Sequence, residues 1–330
     1  MPFIIHCHKL GFDRAILNNG NCSCFGRSQA QKNGKLYHIE RLNSITNDFI
    51  YLADLLHPNW RGDNMATLHA YFDDSADSKH AEYQAVGGLV GSGTQFDFLD
   101  ILWADATKDL KEPFHATDCE TQHGQFEGWE KQDCDELMKQ LVTVIRRTDL
   151  HGVGFVVPVG AFRAIFPEAE DFDPYFLALR QTLINMAYIS CPTKSDSCNR
   201  IDVQVMCEDG PTYNVAERIY DELKNFNGWT WGKSLSGFKA GSKRRMSLQA
   251  SDLVAREAYK HAANLGIRKT RKPVKALHDV LSFHLWTPQC LEYLRDNGGP
   301  KDLALLAGWG QGHVKPPQML RFYGSTFDLT

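Results

Sequence analysis

An almost uninterrupted apolar run at residues 153–159 is the feature that most constrains the fold of this 330-residue chain. The run has the length of a strand, and it predicts a central strand that is buried on both faces of its sheet. A strand of this kind needs a layer of helices on each side. Residues 130–148 and 174–189, which flank the run, carry helical patterns. The chain is therefore predicted to form a layered α/β or α+β fold.

Patterning elsewhere extends this architecture. Strand-like segments cover residues 68–72, 83–90 and 201–207, the first two as a hairpin. Helical spacing covers residues 95–110, 212–226 and 248–263. The chain thus begins with strands and continues with alternating helices and strands. This order predicts a mixed β-sheet flanked by helices.

The first 64 residues differ from the rest, because they show little periodicity apart from a short possible helix at residues 45–56. Organised patterning begins at Met65. We therefore predict that residues 65–330 form the functional domain, with helical and loop elaboration at its C-terminal end. In this hypothesis residues 1–64 are a poorly patterned extension or a mis-assigned leader, and Met65 is the true start.

Composition excludes several classes of protein. A hydrophobic content of 43% and a charged content of 23% exclude disorder, collagen and coiled coil. Neither a signal peptide nor a membrane-spanning run is visible, so no membrane association is expected. Nine cysteines without a disulfide framework predict reduced thiols and a cytoplasmic location. An N-terminal zinc site is an alternative use of His6, Cys7, His8, Cys22 and Cys24, but their spacing disfavours it.

Carboxylates stand at the ends of the predicted elements. Asp73 and Asp74 end the first strand, Glu208 and Asp209 end the strand at residues 201–207, and Asp252 lies in an apolar stretch of helix. Carboxylates that converge from separate segments bind Mg²⁺ or Mn²⁺. Two such ions stabilise the attacking and the leaving oxygen in phosphodiester cleavage. The alternative is that these acids form turns or pair with helix dipoles.

Strand alternation and the helical period indicate which of two neighbouring acids faces the predicted metal site. Strand alternation places Asp73 opposite Phe72, and it makes Glu208 a better ligand than Asp209, which suits a turn with Gly210. On the late helix, Gln249, Asp252 and Arg256 share one face, and Arg256 is expected to neutralise Asp252 when no metal is bound. Glu257 lies about 140° around that helix, which favours a structural role.

A histidine and two acids follow residue 114. His115 is interpreted either as a metal ligand or general base beside Asp118 and Glu120, or as a structural histidine. Cys119 is discounted as a nucleophile, because no helix N-terminus or base is evident beside it.

A family resemblance rests on an ordered set of segments. They are Tyr71-Phe72-Asp73-Asp74-Ser75, Gly87-Gly88, Phe114-His115-Ala116-Thr117-Asp118 followed by Gly124, Phe126, Gly128 and Trp129, Glu208-Asp209-Gly210, and residues 248–257. Over roughly residues 65–260 the set resembles the bacterial and phage domain-of-unknown-function family 3800. The resemblance implies a ribonuclease-H-like fold with a carboxylate metal site, by kinship to integrases and resolvases.

The same resemblance implies roles for individual residues. Asp73, Glu208 and Asp252 are implied as catalytic metal ligands, with Asp118 as a further catalytic acid. Supporting or alternative positions are Asp74, Ser75, His115, Glu120, Asp209, Gln249, Arg256 and Glu257. Cys207 and Ala76 depart from the family pattern, where an aromatic residue and a glycine are usual.

The net charge of −4 conceals a strong asymmetry. Residues 231–275 carry twelve basic against two acidic residues, so the rest of the chain holds a charge of −14. Such a segment around Asp252 suits phosphate-backbone binding, although a solvated surface is the alternative. The predicted nucleic-acid contacts are Lys239, Lys243, Arg244, Arg245, Lys269, Arg271 and Lys272. Trp229, Trp231 and Phe238 are expected to stack on unpaired bases.

These observations predict a nuclease, that is, a Mg²⁺- or Mn²⁺-dependent hydrolase of phosphodiesters in DNA or RNA. The main alternative is a non-catalytic module that binds nucleic acid or protein and whose acids are structural. A metal phosphohydrolase of nucleotides would share the carboxylates without needing the basic segment. The sequence leaves the oligomeric state open.

Overall fold

A computed structural model describes residues 3–5, 12–18, 21–26, 66–77, 79–168, 172–190, 201–277, 280–310, 320–323 and 326–329. The chain divides into two compact units, Met1–Ile45 and Thr46–Thr330. In the first unit, β1 (Phe3–Ile5), β2 (Phe12–Asn18) and β3 (Asn21–Gly26) form an antiparallel sheet in that order. The predicted start at Met65, the helix at residues 45–56 and the side chains considered for zinc lie outside the described residues.

The second unit contains an eight-stranded sheet in the order β11-β10-β9-β6-β5-β4-β7-β8. Its strands are β4 (Ala66–Ala76), β5 (Tyr83–Ser92), β6 (His151–Pro158), β7 (Ile201–Glu208), β8 (Leu235–Gly241), β9 (Leu281–Leu285), β10 (Leu320–Tyr323) and β11 (Thr326–Leu329). The β5 strand runs antiparallel to β4 and β6, whereas β4, β7 and β8 are parallel, as are β6 and β9. The β10 and β11 strands add antiparallel pairings at one edge.

Helices cover both faces of this sheet. They are α1 (Gly93–Ala106), α2 (Ala116–Thr121), α3 (Lys131–Arg147), α4 (Val159–Ile165), α5 (Pro174–Ser190), α6 (Tyr213–Lys224), α7 (Met246–Ala263), α8 (Lys272–Leu277), α9 (Pro288–Asp296) and α10 (Leu303–Gly310). This arrangement confirms the predicted fold class, an α/β, ribonuclease-H-like mixed sheet flanked by helices. Within the described part of the chain, no helix combines the length and apolarity needed to cross a membrane.

Strand alternation divides the core into two layers. Phe72 of β4 packs in the layer that contains α5 and α6, whereas Tyr71 packs against Phe96 of α1 with their ring centroids 4.6 Å apart and the rings tilted by 60°. On β6, Phe155 faces the first layer and Val156 faces the second. The β6 strand is therefore buried on both faces, as its apolar sequence predicts.

Two glycines of β5 allow the helices to approach the sheet closely. A Cβ atom at Gly87 would lie 2.8 Å from the Cα and N atoms of Ala255 in α7. A Cβ atom at Gly88 would lie 2.4 Å from the Cε atom of Met186 in α5. Both distances are shorter than van der Waals contact between carbon atoms, about 3.5–4.0 Å. Only glycine therefore lets α7 pack directly on the centre of the sheet.

Candidate metal and catalytic site

Two acids stand side by side at the ends of parallel strands. The register pairs Phe72 of β4 with Cys207 of β7, so that Asp73 and Glu208 occupy the next position on each strand. Phe72 and Cys207 are buried in the layer of α5 and α6. Because successive side chains alternate, Asp73 and Glu208 share the opposite face, towards α7.

A third acid comes from α7. The helix is fixed to β4 by Ser251, whose hydroxyl donates a 3.0 Å hydrogen bond to the carbonyl of Tyr71. One residue later, Asp252 is only 3% exposed, and its Oδ2 atom accepts a 2.8 Å hydrogen bond from the backbone N–H of Ala116. The β4 strand, the β7 strand and α7 thus deliver three carboxylates to one place.

A lysine ammonium lies among these three carboxylates. The Nζ atom of Lys243 is 3.1 Å from Oδ2 of Asp73, 3.0 Å from Oε2 of Glu208 and 3.9 Å from Oδ2 of Asp252. Burial opposes the charge of Lys243, but the carboxylates outweigh burial and raise the pKa of the lysine. We call Asp73, Glu208, Asp252 and Lys243 the carboxylate–lysine cluster.

Burial opposes the negative charge of two adjacent acids of β4, Asp73 and Asp74. Burial, followed by the nearby Asp252 carboxylate, raises the pKa of Asp73 to about 8, although Lys243 acts in the opposite direction. Burial also raises the pKa of Asp74, whose Oδ2 atom accepts a 3.1 Å hydrogen bond from Nε2 of Gln84. The position between the carboxylates therefore favours a cation.

The oxygen ligands of the cluster suit a hard divalent cation. Among the described residues, no group of three or more His, Cys, Asp or Glu side chains is arranged to hold a metal as it stands. The Lys243 ammonium lies 3.0 Å from Oε2 of Glu208, whereas Mg²⁺ binds oxygen at about 2.0–2.1 Å. Asp73, Glu208 and Asp252 surround the Lys243 ammonium, and they are the carboxylates that could hold a divalent cation if one replaced it.

A cavity of about 420 Å³ opens beside the cluster. Asp73, Asp74, Glu208, Asp209 and Tyr175 are among its lining residues. Asp209 is exposed, and its backbone N–H donates a 2.9 Å hydrogen bond to the carbonyl of Gly241, as befits a turn residue. Ser75 is buried further along β4. The cavity gives solutes access to one side of the carboxylates.

Gln249 fixes the loop that carries Lys243. Its Nε2 atom donates a 3.0 Å hydrogen bond to the carbonyl of Lys243. Its Oε1 atom accepts hydrogen bonds of 3.0 Å from both the indole of Trp103 and the backbone N–H of Phe114. Gln249 thus connects the lysine loop, α1 and the segment that leads to Ala116.

His115 connects the cluster to the predicted acid Asp118. The Nε2 atom of His115 lies 3.9 Å from Oδ2 of Asp252, and its Nδ1 atom lies 3.2 Å from Oδ2 of Asp118. Asp118 therefore contacts the histidine rather than the three carboxylates. Cys119, the next residue, is buried, and burial raises the pKa of its thiol, which agrees with its exclusion as a nucleophile.

Two expectations on the far side of α7 are wrong. Arg256 does not neutralise Asp252, because its Nε atom donates a 2.8 Å hydrogen bond to Oε2 of Glu120. Glu120 does not assist the carboxylate site, because Arg271 and Lys260 also pair with it. Burial would raise the pKa of Glu120, but these three cations lower it. The ion pairs tie α2 to α7.

Glu257 belongs to the same ion-pair network. It is fully buried, and its Oε1 atom accepts a 2.9 Å hydrogen bond from Arg271. Burial raises the pKa of Glu257 despite that partner. The contact agrees with the structural role inferred from the helical period, and it commits Arg271 to carboxylates rather than to phosphates.

The predicted nucleic-acid contacts divide into two groups. Five of them are exposed, namely Lys239, Arg244, Arg245, Lys269 and Lys272. Lys243 and Arg271 are instead engaged with carboxylates, so their assignment as phosphate contacts is corrected. No other cation of this set is buried in ion pairs within the described residues.

The expectation that aromatic residues near the basic segment stack on bases is also wrong. Trp229 and Trp231 are 2% and 4% exposed and belong to the core beneath α6. Phe238 packs against Phe72 and Tyr220, with ring centroids 6.2 and 5.1 Å apart. These rings stabilise the fold because β8 and α6 cover them.

Comparisons with known proteins add little beyond the fold. No protein-family model matches the chain, and no curated protein matches it. A crystal structure of Bst-RNase HIII in complex with Mn²⁺ aligns with 60% of this chain and 53% of its own, at 11% identity and a TM-score of 0.34. A mutant of Bst-RNase HIII aligns with 61% of this chain and 53% of its own, at 12% identity and a TM-score of 0.33. The chain thus spans about half the length of these structures.

By its own topology and contacts, the chain is a ribonuclease-H-like α/β protein with three carboxylates and one lysine at the ends of its parallel strands.

Proposed function

We propose that this chain is a divalent-metal-dependent nuclease that hydrolyses phosphodiester bonds in DNA or RNA. One observation carries the proposal: three carboxylates from three separate elements surround a single cation position beside an open cavity. A purely structural ion pair needs one carboxylate for each lysine, whereas the excess of negative charge here suits a divalent cation.

In this proposal Asp73, Glu208 and Asp252 hold Mg²⁺ or Mn²⁺. A divalent ion at this position supplies Lewis-acid activation of the phosphodiester and of the attacking water. The hydrogen bond from the backbone N–H of Ala116 fixes the orientation of the Asp252 carboxylate. His115 lies 3.9 Å from Asp252 and 3.2 Å from Asp118, and in this proposal it is the side chain that accepts or delivers a proton.

A nucleic acid is the proposed substrate because exposed cations flank the site. Arg244 and Arg245 immediately precede α7, and Lys269 and Lys272 follow it. The 18 residues of α7 span about 27 Å, at 1.5 Å per residue. A mononucleotide cannot reach both ends of this helix, whereas a polynucleotide backbone can. This favours a nuclease over a nucleotide phosphohydrolase.

The ordered motifs support the further proposal that the chain belongs to domain-of-unknown-function family 3800. A cytoplasmic location is proposed on the state of the cysteines. Cys119, Cys134, Cys207 and Cys290 are free thiols and are buried, as expected for a protein of a reducing compartment.

The test is a cleavage assay on end-labelled single-stranded DNA, duplex DNA, single-stranded RNA and RNA–DNA hybrid. We expect cleavage of at least one substrate with Mg²⁺ or Mn²⁺ and none in excess chelator. Asp73→Asn and Asp252→Asn should abolish cleavage while retaining the native circular-dichroism spectrum. Asp105→Asn is the matched control, because Asp105 lies exposed on α1 and pairs only loosely with Lys108, at 3.6 Å. Full activity in both site variants would refute the assignment.

A second candidate function is a non-catalytic module that binds nucleic acid or protein. The specific observation in its favour is Lys243, which already partners two of the carboxylates without a metal. If the chain is such a module, it should bind nucleic acid or protein without cleaving nucleic acid, and Mg²⁺ and Mn²⁺ should leave its melting temperature unchanged. The nuclease predicts stabilisation by either ion, because a ligand that binds the folded state alone raises its stability.

A further inference from the structure

The Lys243 ammonium lies within 4 Å of all three carboxylates of the cluster. Its side chain is 21% exposed, and its ammonium donates hydrogen bonds to Asp73 and Glu208 at 3.1 and 3.0 Å. The third carboxylate, Asp252, lies 3.9 Å away. One positive charge thus lies near three acids and offsets part of their mutual repulsion.

The backbone of Lys243 is held independently of its ammonium. The carbonyl of Lys243 accepts a hydrogen bond from Gln249, which Trp103 and Phe114 hold in turn. On the preceding side, Gly241 is paired with Glu208 in the parallel ladder of β7 and β8. The four-carbon stem of lysine is flexible, so the ammonium can leave the carboxylates while the loop stays in place.

We propose that Lys243 is a positioning residue that holds the three carboxylates together in the metal-free protein and yields its place to the divalent cation. The inference rests on the proposed function. An ammonium at 3.0 Å and a metal at about 2.1 Å from the same oxygens cannot occupy one point together. Metal binding by the native protein therefore includes the work of displacing Lys243.

Two consequences follow from this competition. Removal of the ammonium leaves three partly buried carboxylates without a cation, which destabilises the metal-free protein. The same removal eliminates the displacement step, so the variant binds a divalent cation more tightly than the native protein. A lysine with a structural role alone gives the first effect without the second.

The experiment compares the full chain with Lys243→Met, which keeps the length of the stem but removes the charge. Lys239→Met is the matched control, because Lys239 is an exposed lysine of the neighbouring β8 strand. Each protein is freed of metal with chelator and dialysed. The melting temperature is then measured with and without MnCl₂, and the Kd for Mn²⁺ is measured by calorimetry.

We expect Lys243→Met to melt below the native protein without metal and to recover in saturating MnCl₂. Its Kd for Mn²⁺ should be lower by about tenfold or more, since each tenfold corresponds to about 1.4 kcal/mol of displacement work removed. Lys239→Met should match the native protein in both measurements. Lys243→Gln, which retains N–H donors without the charge, carries the same expectations should Lys243→Met not fold without metal.

An unchanged or weaker affinity for Mn²⁺ in both Lys243 variants, with the native protein binding the ion, would overturn the inference and leave the proposed function standing. Absence of Mn²⁺ binding in the native protein and in both variants would overturn the proposed function and the inference together.

Discussion

The contact between β5 and α7 makes Gly87→Ala the sharpest structural prediction. The added Cβ would lie 2.8 Å from two backbone atoms of Ala255, whereas ordinary contact is about 3.5–4.0 Å. The helix must therefore retreat by roughly 0.7–1.2 Å. Gly87 does not have a positive φ, so the substitution acts through this clash and not through backbone strain.

Overpacking of this kind costs about 1–3 kcal/mol of unfolding free energy. For a domain of this size the cost corresponds to a fall in Tm of about 2–12 °C. The retreat also carries Asp252 away from Ala116, whose N–H now lies 2.8 Å from its carboxylate. We therefore expect Gly87→Ala to have a lower unfolding free energy than the native protein and to be stabilised less by Mn²⁺.

Urea unfolding with and without MnCl₂ measures both effects. Gly237→Ala in β8 is the matched control, because a Cβ there meets no atom within 4 Å, and it should unfold like the native protein. Should Gly87→Ala unfold at the native urea concentration and keep the native response to Mn²⁺, the close packing of α7 on the sheet would not position Asp252.

Three further predictions concern the ion pairs of Glu120, the hydrogen bonds of Gln249 and the exposed lysines that follow α7. Glu120→Gln should lower the unfolding free energy by about 2–4 kcal/mol at pH 7. Because its pKa is lowered in the folded state, the stabilisation by Glu120 is present above its ordinary value of 4.5 and is lost as the pH falls further. Urea titrations should show that the difference in unfolding free energy between the native protein and Glu120→Gln is smaller at pH 4 than at pH 7. An equal difference at the two pH values would contradict the role of Glu120 in ion pairs. Gln249→Leu leaves two buried donors without an acceptor and should cost about 2–6 kcal/mol in the same assay, at about 1–3 kcal/mol each; a loss below 1 kcal/mol would contradict its anchoring role. Lys269→Ala with Lys272→Ala should weaken nucleic-acid binding and reduce the slope of log affinity against log salt by about 2. Lys108→Ala, in the turn that follows α1, is the control, and an unchanged slope in the double variant would exclude this surface.

Much of the architecture could be predicted because it depends on local periodicity. The uninterrupted run that forms β6 and the helical spacing of α3 and α7 recur in the structure close to their predicted bounds. Strand alternation also placed Asp73 opposite Phe72, the arrangement seen in the register of β4 with β7.

The partners of the charged residues could not be predicted in this way. The β8 strand, Leu-Ser-Gly-Phe-Lys-Ala-Gly, lacks a clear alternation and lies at the edge of the sheet. Because the sequence does not predict β8, it does not indicate that β8 pairs with β7. It therefore does not indicate that Lys243, which follows β8, lies beside Glu208. Basic clustering then suggested a phosphate contact, whereas the topology places the ammonium among acids.

Arg256 illustrates the limit of helical spacing. The i and i+4 positions put Arg256 on the face of Asp252, but its long side chain extends to Glu120, a residue of α2 that is distant in sequence. Helical spacing identifies a shared face, and only the packing of α2 against α7 determines which acid the arginine meets.

We propose that the carboxylates of Asp73, Glu208 and Asp252 together bind a divalent cation. The most direct test of this proposal is the anomalous difference map of a crystal grown with MnCl₂. We expect a peak bonded to oxygens of all three carboxylates, with the Lys243 ammonium moved away from them. A map without that peak, in which Lys243 still lies among the three carboxylates at full Mn²⁺ concentration, would contradict the claim.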